Sequence, residues 1–170
     1  MHIHVCPLAT LKRSLKQSSA RWMISLSSPG KSIPIPDQID QFSDCFLSLE
    51  FNDISEEHED LIAPTSEDIE KIINFSYRWN GDGTLLIQCW MGISRSTAAA
   101  LIVILSLYSS SEADKMAILL RTLSPTATPN FLMIRLADNS LNLDGRLVQA
   151  LQKIGRGIEA SHGIPFDIFL

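Results

Sequence analysis

Apolar positions in this chain follow two regimes: short strand-like runs in the first half and helical spacing through the second. His2–Cys6 reads as a short strand closed by Pro7, and Ala9–Gln17 carries Leu11 and Leu15 at helical spacing behind Leu8. Trp22–Leu26 is a second apolar strand, ended by the turn sequence Ser27-Ser28-Pro29-Gly30. Pro34 and Pro36 predict an extended stretch, and Cys45–Phe51 alternates apolar and polar residues as a third strand does. Thr65 and Asp68 are spaced for a capping box, and Ile69, Ile72, Ile73 and Phe75 give the following helix one buried face. Gly81-Asp82-Gly83 breaks the chain before Thr84–Gln88, a continuous apolar strand of the kind covered on both faces.

Beyond Cys89 the pattern stays helical. Arg95–Tyr108 is apolar nearly all round, which predicts a central helix packed on several sides. Ser111 with Asp114 predicts the cap of a helix ending near Leu123, and two more helices follow over about Phe131–Asn139 and Gly145–Ala160. This order predicts an α/β fold with a central, mostly parallel sheet of four or five strands and helices on both faces. With 170 residues, no internal repeat and no long linker, a single domain spanning 1–170 is expected.

Composition narrows the function classes. A chain that is 45% hydrophobic and 19% charged is neither disordered nor low-complexity. Its longest apolar run, Ala98–Leu105, falls well short of the ~20 residues of a membrane span. The first residues lack the pattern of a signal peptide. A formal net charge of −5 argues against nucleic acid or an anionic membrane as partner. Cys6, Cys45 and Cys89 are widely separated and form no CxxC, which fits a reducing compartment, so a cytoplasmic monomer is expected. Cys6 and Cys45, in apolar strands, read as structural thiols rather than as disulfide partners for Cys89. His2 and His4 share a strand face, as metal ligands do, but no third ligand accompanies them, so neither a metal nor a cofactor is expected.

The chemistry lies in one segment, Leu85-Leu86-Ile87-Gln88-Cys89-Trp90-Met91-Gly92-Ile93-Ser94-Arg95-Ser96-Thr97. It reads as buried strand, short loop, helix. A loop wound around a helix N-terminus aims its backbone N–H groups at one point and makes an anion site. A cysteine at its entrance feels the same field, which favours thiolate over thiol. Arg95 at its exit offers a planar, permanently charged fork for two phosphate oxygens. Gly92 permits the tight backbone path, and Ser96 brings a hydroxyl near the thiolate.

This segment resembles the Cys-x5-Arg phosphate-binding loop of the protein tyrosine phosphatase superfamily, in the style of its compact dual-specificity-like members and their bacterial relatives. Leu49-Glu50-Phe51-Asn52-Asp53-Ile54 resembles the strand end and loop that carry their general-acid aspartate. Arg121-Thr122-Leu123-Ser124-Pro125-Thr126-Ala127-Thr128-Pro129-Asn130 resembles the segment, ending in Pro-Asn, that begins a late helix and buttresses the loop. The likeness runs from Leu47 to Leu141 and implies the phosphotyrosine protein phosphatase type of fold. It implies that Cys89 is the nucleophile, Arg95 the phosphate clamp, Ser96 the stabiliser of the thiolate, and Asp53 the general acid and then base. Trp90, Met91, Gly92, Ile93, Ser94 and Arg95 would surround the phosphate, with Gln88 and Asn130 in support. The implied reaction is metal-free hydrolysis of a phosphorylated protein or small phosphomonoester through a cysteinyl-phosphate.

Two positions depart from the family pattern. Gln88 stands where a histidine is usual, so an amide that can order the loop replaces a group that can carry charge. Trp90 and Met91 fill loop positions that are often small or polar. Gln88 keeps open the alternative of a phosphate-binding pseudophosphatase that recognises phosphorylated partners without turnover. A phosphoinositide substrate would call for lysines in the loop, and it has none. Asp53 also shares the stretch Glu50–Asp60 with Glu50, Glu56, Glu57, Glu59 and Asp60, so the acid competes with five other carboxylates.

Overall fold

The computed structural model describes residues 1–31, 33, 39, 44–56, 58–108 and 110–170. Pro34, Pro36 and Glu57 lie outside the described residues, and so do the expectations made for them. The chain runs β1 (His2–Pro7), a 3-10 turn at Leu8–Thr10, α1 (Leu11–Ser18), β2 (Trp22–Ser27), β3 (Phe46–Glu50), α2 (Ser66–Trp79), β4 (Thr84–Cys89) and α3 (Arg95–Leu107). It continues through α4 (Ala113–Leu123), α5 (Phe131–Ser140), α6 (Arg146–Ile154) and β5 (Phe166–Phe169).

The strands form one five-stranded sheet in the order β3-β2-β4-β1-β5. The first four are parallel, and β5 pairs antiparallel with β1 at one edge. The α/β fold expected from the sequence is the one observed. Because β4 is central, it is flanked by β1 and β2 and covered on both faces, as its apolar run requires. On one face Leu86, Met23 and Cys6 pack under Leu11 and Leu15 of α1. On the other, Leu85 and Ile87 join Val5, Ile24 and the bulk of the helical core. Within that core α3 is buried continuously from Arg95 to Leu105, the central position its all-round apolarity predicts.

Local chemistry sets several element ends. Thr65 caps α2 through a reciprocal box, its Oγ1 accepting from the Asp68 N–H at 3.2 Å while Asp68 Oδ2 accepts from the Thr65 N–H at 2.9 Å. The predicted cap at Ser111 gives way to a helix that starts later, at Ala113. Glu112 occupies the cap position after a 3-10 turn, without a side-chain cap, and Asp114 instead accepts from Lys153 at 2.6 Å. Helix α6 stops at Ile154 rather than at Ala160, because Gly155 turns the chain at φ +65°. Its start is capped from α5: Asp138, buried, accepts the N–H groups of Gly145, Leu147 and Val148.

Strand β5 was not predicted, since four residues behind Pro165 carry too short a pattern to separate from a loop. Its partner strand explains it. Asp167 Oδ1 lies 2.7 Å from both His2 Nε2 and His4 Nδ1 of β1, and His2 is held from the other side by the Thr84 hydroxyl at 2.9 Å. The two histidines that share a strand face thus serve this carboxylate, and no metal-holding group of His, Cys, Asp and Glu occurs among the described residues.

Partial burial would raise the Asp167 carboxyl, but the hydrogen bonds from His2 and His4 outweigh it and hold the carboxyl below its usual value of 3.8. A depressed carboxyl contributes stability above the unfolded-state value and loses it as pH falls through the folded one. Asp167→Asn should therefore show a smaller loss of thermal stability than the parent between neutrality and about pH 3. Thermal melts across that range check it.

Candidate active site

Strand β4 delivers Cys89 to the carboxyl end of the sheet, and α3 opens six residues later at Arg95. The loop between them is shaped by what grips its carbonyls. Trp90 O accepts from the Leu8 N–H at 3.3 Å, Met91 O from Gly163 at 2.8 Å, Ile93 O from Thr128 at 3.0 Å, and Ser94 O from Asn130 at 3.3 Å. A planar trans peptide points its N–H opposite to its C=O, so the following amides face the other way. The Gly92 amide is the one that donates to Cys89 Sγ, at 3.2 Å. Gly92 has φ +70°, and a Cβ there would lie 2.6 Å from Pro7 N, so glycine is required twice over.

The Cys89 thiol is buried and lies 3.1 Å from Ser96 Oγ in the first turn of α3. Arg95, also buried, spreads its guanidinium across the ends of β2 and β3. Its Nη1 donates to Phe51 O at 2.7 Å and to Ser28 Oγ at 3.4 Å, while Nε has no hydrogen-bond partner among the described residues. A buried guanidinium N–H left open beside a ring of amides is a donor set for an anion. Gln88, by strand alternation, faces the α1 side of the sheet. Its amide donates to Ser25 Oγ of β2 at 2.7 Å, and its Oε1 has no partner among the described residues. The hydrogen bond that the sequence reading offered to the loop goes to a neighbouring strand.

Among the described residues of the acidic stretch, Asp53 is the carboxylate that reaches this site. Asp53 Oδ1 accepts from Ser94 Oγ at 2.6 Å and from Asn130 Nδ2 at 2.8 Å, and Oδ2 lies 3.7 Å from Arg95 Nε. Its side chain is 32% exposed, and Asp53, Glu56 and Glu59 are all exposed residues of the same loop. The loop is pinned where it leaves β3, with the Asn52 N–H on Ile62 O at 2.7 Å and the Ile62 N–H on Asn52 Oδ1 at 2.9 Å. Asn130 does two things. Its Oδ1 caps α5 by accepting from Met133 N at 3.0 Å, and its Nδ2 holds both Asp53 and Ile54 O.

A cleft of about 850 Å³ opens beside these groups, with Asp53 and Ser94 on its edge and Met91, Ile93, Phe131 and Ile158 along its walls. Trp90 and Met91, the bulky loop residues, are both exposed. Cys6 sits on the opposite face of the sheet, where burial pushes its thiol up to about 11, and Cys45 is half-buried. Sequence reasoning missed the segment after α6, which forms one wall of the cleft. Its signal was Gly155, Gly157 and Gly163, spaced along a polar stretch, with Arg121 donating to the carbonyls of Ala127, Ile154, Gly155 and Arg156.

No family model and no curated protein sequence matches the chain. Solved structures do. Human DUSP28 superposes with a TM-score of 0.59 at 15% identity, covering 90% of this chain and 95% of that one. DUSP15 gives 0.57 at 16% identity over 91% and 94%. The Yvh1 phosphatase domain from Chaetomium thermophilum gives 0.55 at 19% identity over 85% and 93%. The fold is that of the dual-specificity phosphatases.

Arg95 is gripped at Nη1 by Phe51 O and Ser28 Oγ and faces the Asp53 carboxylate at Nε, contacts that need a planar fork as well as a charge. Lysine would supply a point charge and lose the bond to Phe51 O. Arg95→Lys should therefore destabilise the fold by about 1–3 kcal/mol, because a carbonyl in a buried setting loses its donor. Thermal melts of the parent chain and the variant check it.

Proposed function

We propose that this chain hydrolyses phosphomonoesters, of phosphotyrosine or related phosphorylated protein side chains, through a cysteinyl-phosphate. The observation that carries the reading is the setting of Cys89 Sγ, which meets both Ser96 Oγ and the Gly92 amide at one end of the carbonyl-pinned loop. In the first step the Cys89 thiolate attacks phosphorus and the ester P–O bond breaks. Asp53 gives its proton to the departing oxygen. In the second, Asp53 takes a proton from water, the water oxygen attacks phosphorus, and the S–P bond breaks with its electron pair returning to sulfur. Ser96 donates to that sulfur as it leaves. Arg95 and the loop amides hold the three equatorial oxygens through both steps. No metal or cofactor is required. The partner is a phosphorylated protein or small phosphomonoester, acted on by a monomer.

One observation favours a second reading. Gln88 is neutral, bonded to Ser25 and buried, so the residue ahead of the nucleophile brings no positive charge toward it. A pseudophosphatase with this loop would bind phosphorylated partners and leave them intact. Cys89→Ser decides between the two. The hydroxyl fits the same site but is a far weaker nucleophile, so turnover of nitrophenyl phosphate should fall below about one-thousandth while phosphate still binds. A parent chain with no turnover to lose, yet the same phosphate affinity, would establish the binding module.

The role of Asp53 has its own signature. An acid is needed only when the leaving oxygen requires a proton. Asp53→Asn should slow phenyl phosphate about a hundredfold and nitrophenyl phosphate far less, whereas Glu56→Gln and Glu57→Gln should slow neither. Equal slowing of both substrates, or leaving-group dependence in a glutamate variant alone, would assign the acid elsewhere.

A further inference from the structure

The peptide that joins Met91 to Gly92 is held at both ends. Its N–H donates to Cys89 Sγ at 3.2 Å, and its C=O accepts from the Gly163 N–H at 2.8 Å. The two bonds leave opposite edges of one rigid peptide plane, so the position of Gly163 sets where the Gly92 N–H points. We propose that Gly163, seventy-four residues after the nucleophile, is a positioning residue that aims the Gly92 amide at the Cys89 sulfur and strengthens that hydrogen bond. The proposal rests on reading Cys89 as the reactive thiol of the proposed hydrolase.

Gly163 can do this because the segment that carries it is fastened along its length. Behind it, the Gly157 N–H donates to Thr128 Oγ1 at 3.2 Å and the Ile158 N–H to Pro125 O at 2.9 Å, and Arg121 holds the carbonyls of residues 154–156. Ahead of it, β5 is paired to β1 and tied by Asp167 to His2 and His4. Gly163 itself is buried, and a Cβ there would stand 2.7 Å from Gly92 O and 3.2 Å from Gly92 C. Those are backbone atoms of the loop that cannot step aside as a side chain would. Glycine is required because nothing larger lets the two backbones approach to hydrogen-bonding distance.

Hydrogen bonds in series polarise one another, so charge on the sulfur should be felt at the far end of this short chain. A thiolate pulls on the Gly92 N–H, the Met91 carbonyl becomes the stronger acceptor, and the Gly163 N–H is drawn toward it. The described ionisable groups near the thiol are Arg95, Asp53 and Cys6, the last pushed up to about 11 by burial and so silent near neutrality. His162, exposed and adjacent to Gly163, is an imidazole beside the observed amide and needs its own control.

The test reads the thiol and not turnover, so its failure is distinguishable from failure of the hydrolase reading. In the full chain, the Gly163 amide proton shift is followed by NMR against pH, and the rate of Cys89 alkylation by iodoacetamide is followed over the same range. The expected result is one shared midpoint, present in His162→Gln and absent in Cys89→Ser. In Gly163→Ala the alkylation midpoint should rise by about one pH unit, so that the rate at pH values below both midpoints falls roughly tenfold. A Gly163 shift that stays flat, that vanishes with His162→Gln or that survives in Cys89→Ser would overturn the proposal. An unchanged midpoint in a folded Gly163→Ala would do the same. If Gly163→Ala does not fold, the titration of the parent chain decides alone.

Discussion

The loop between β4 and α3 keeps its shape because its carbonyls are held from outside. Four of them, on Trp90, Met91, Ile93 and Ser94, accept from Leu8, Gly163, Thr128 and Asn130. These donors come from three segments far apart in sequence: the end of β1, the turn before α5 and the run into β5. A peptide that turned its carbonyl inward would break such a bond and leave a buried donor unpaired, at about 1–3 kcal/mol each. The amides are therefore fixed before any anion arrives. That preorganisation is what an electrostatic site requires, since dipoles already in place cost no reorganisation when charge develops.

The fold follows from this constraint as much as it supplies it. A central parallel strand places Cys89 where β1 and β2 end beside it, so Pro7 can press on Gly92 and Ser28 can reach Arg95. The same arrangement sets Phe51, at the end of β3, against the Arg95 guanidinium. Asp53 is two residues further on, and Asn130 and Ser94 bring it to the rim of the site while its side chain keeps a third of its surface in water. The carboxylate can thus face Arg95 without the heavy desolvation that full burial of a charge would impose. The Gln88–Ser25 bond is the converse case, a buried polar pair that meets within the sheet.

The parallel sheet, the buried central helix and the strand–loop–helix around Cys89 were all legible in the sequence, because each rests on local periodicity or on residues adjacent in the chain. What was not legible depends on partners far away. Strand β5 forms because Asp167 finds two histidines at the other end of the chain, and the end of α6 is set by Gly155 beneath Arg121. The double duty of Asn130 needed the acid loop in place beside it, although Pro-Asn at a helix start was visible. Gln88 reads from the sequence as an amide able to order the loop, and strand register sends its N–H to Ser25 instead. The contact of Gly163 with Gly92 has no sequence signature beyond a glycine in a polar stretch.

The account stands or falls on sulfur carrying the phosphoryl group. Nitrophenyl phosphate is mixed with the chain, the reaction is stopped by rapid denaturation during turnover, and the digested peptides are weighed by mass spectrometry. The account predicts phosphate on the peptide that contains Cys89, and none on those that contain Cys6 or Cys45. Turnover with no phosphorylated cysteine, or phosphate on a residue other than Cys89, would contradict it.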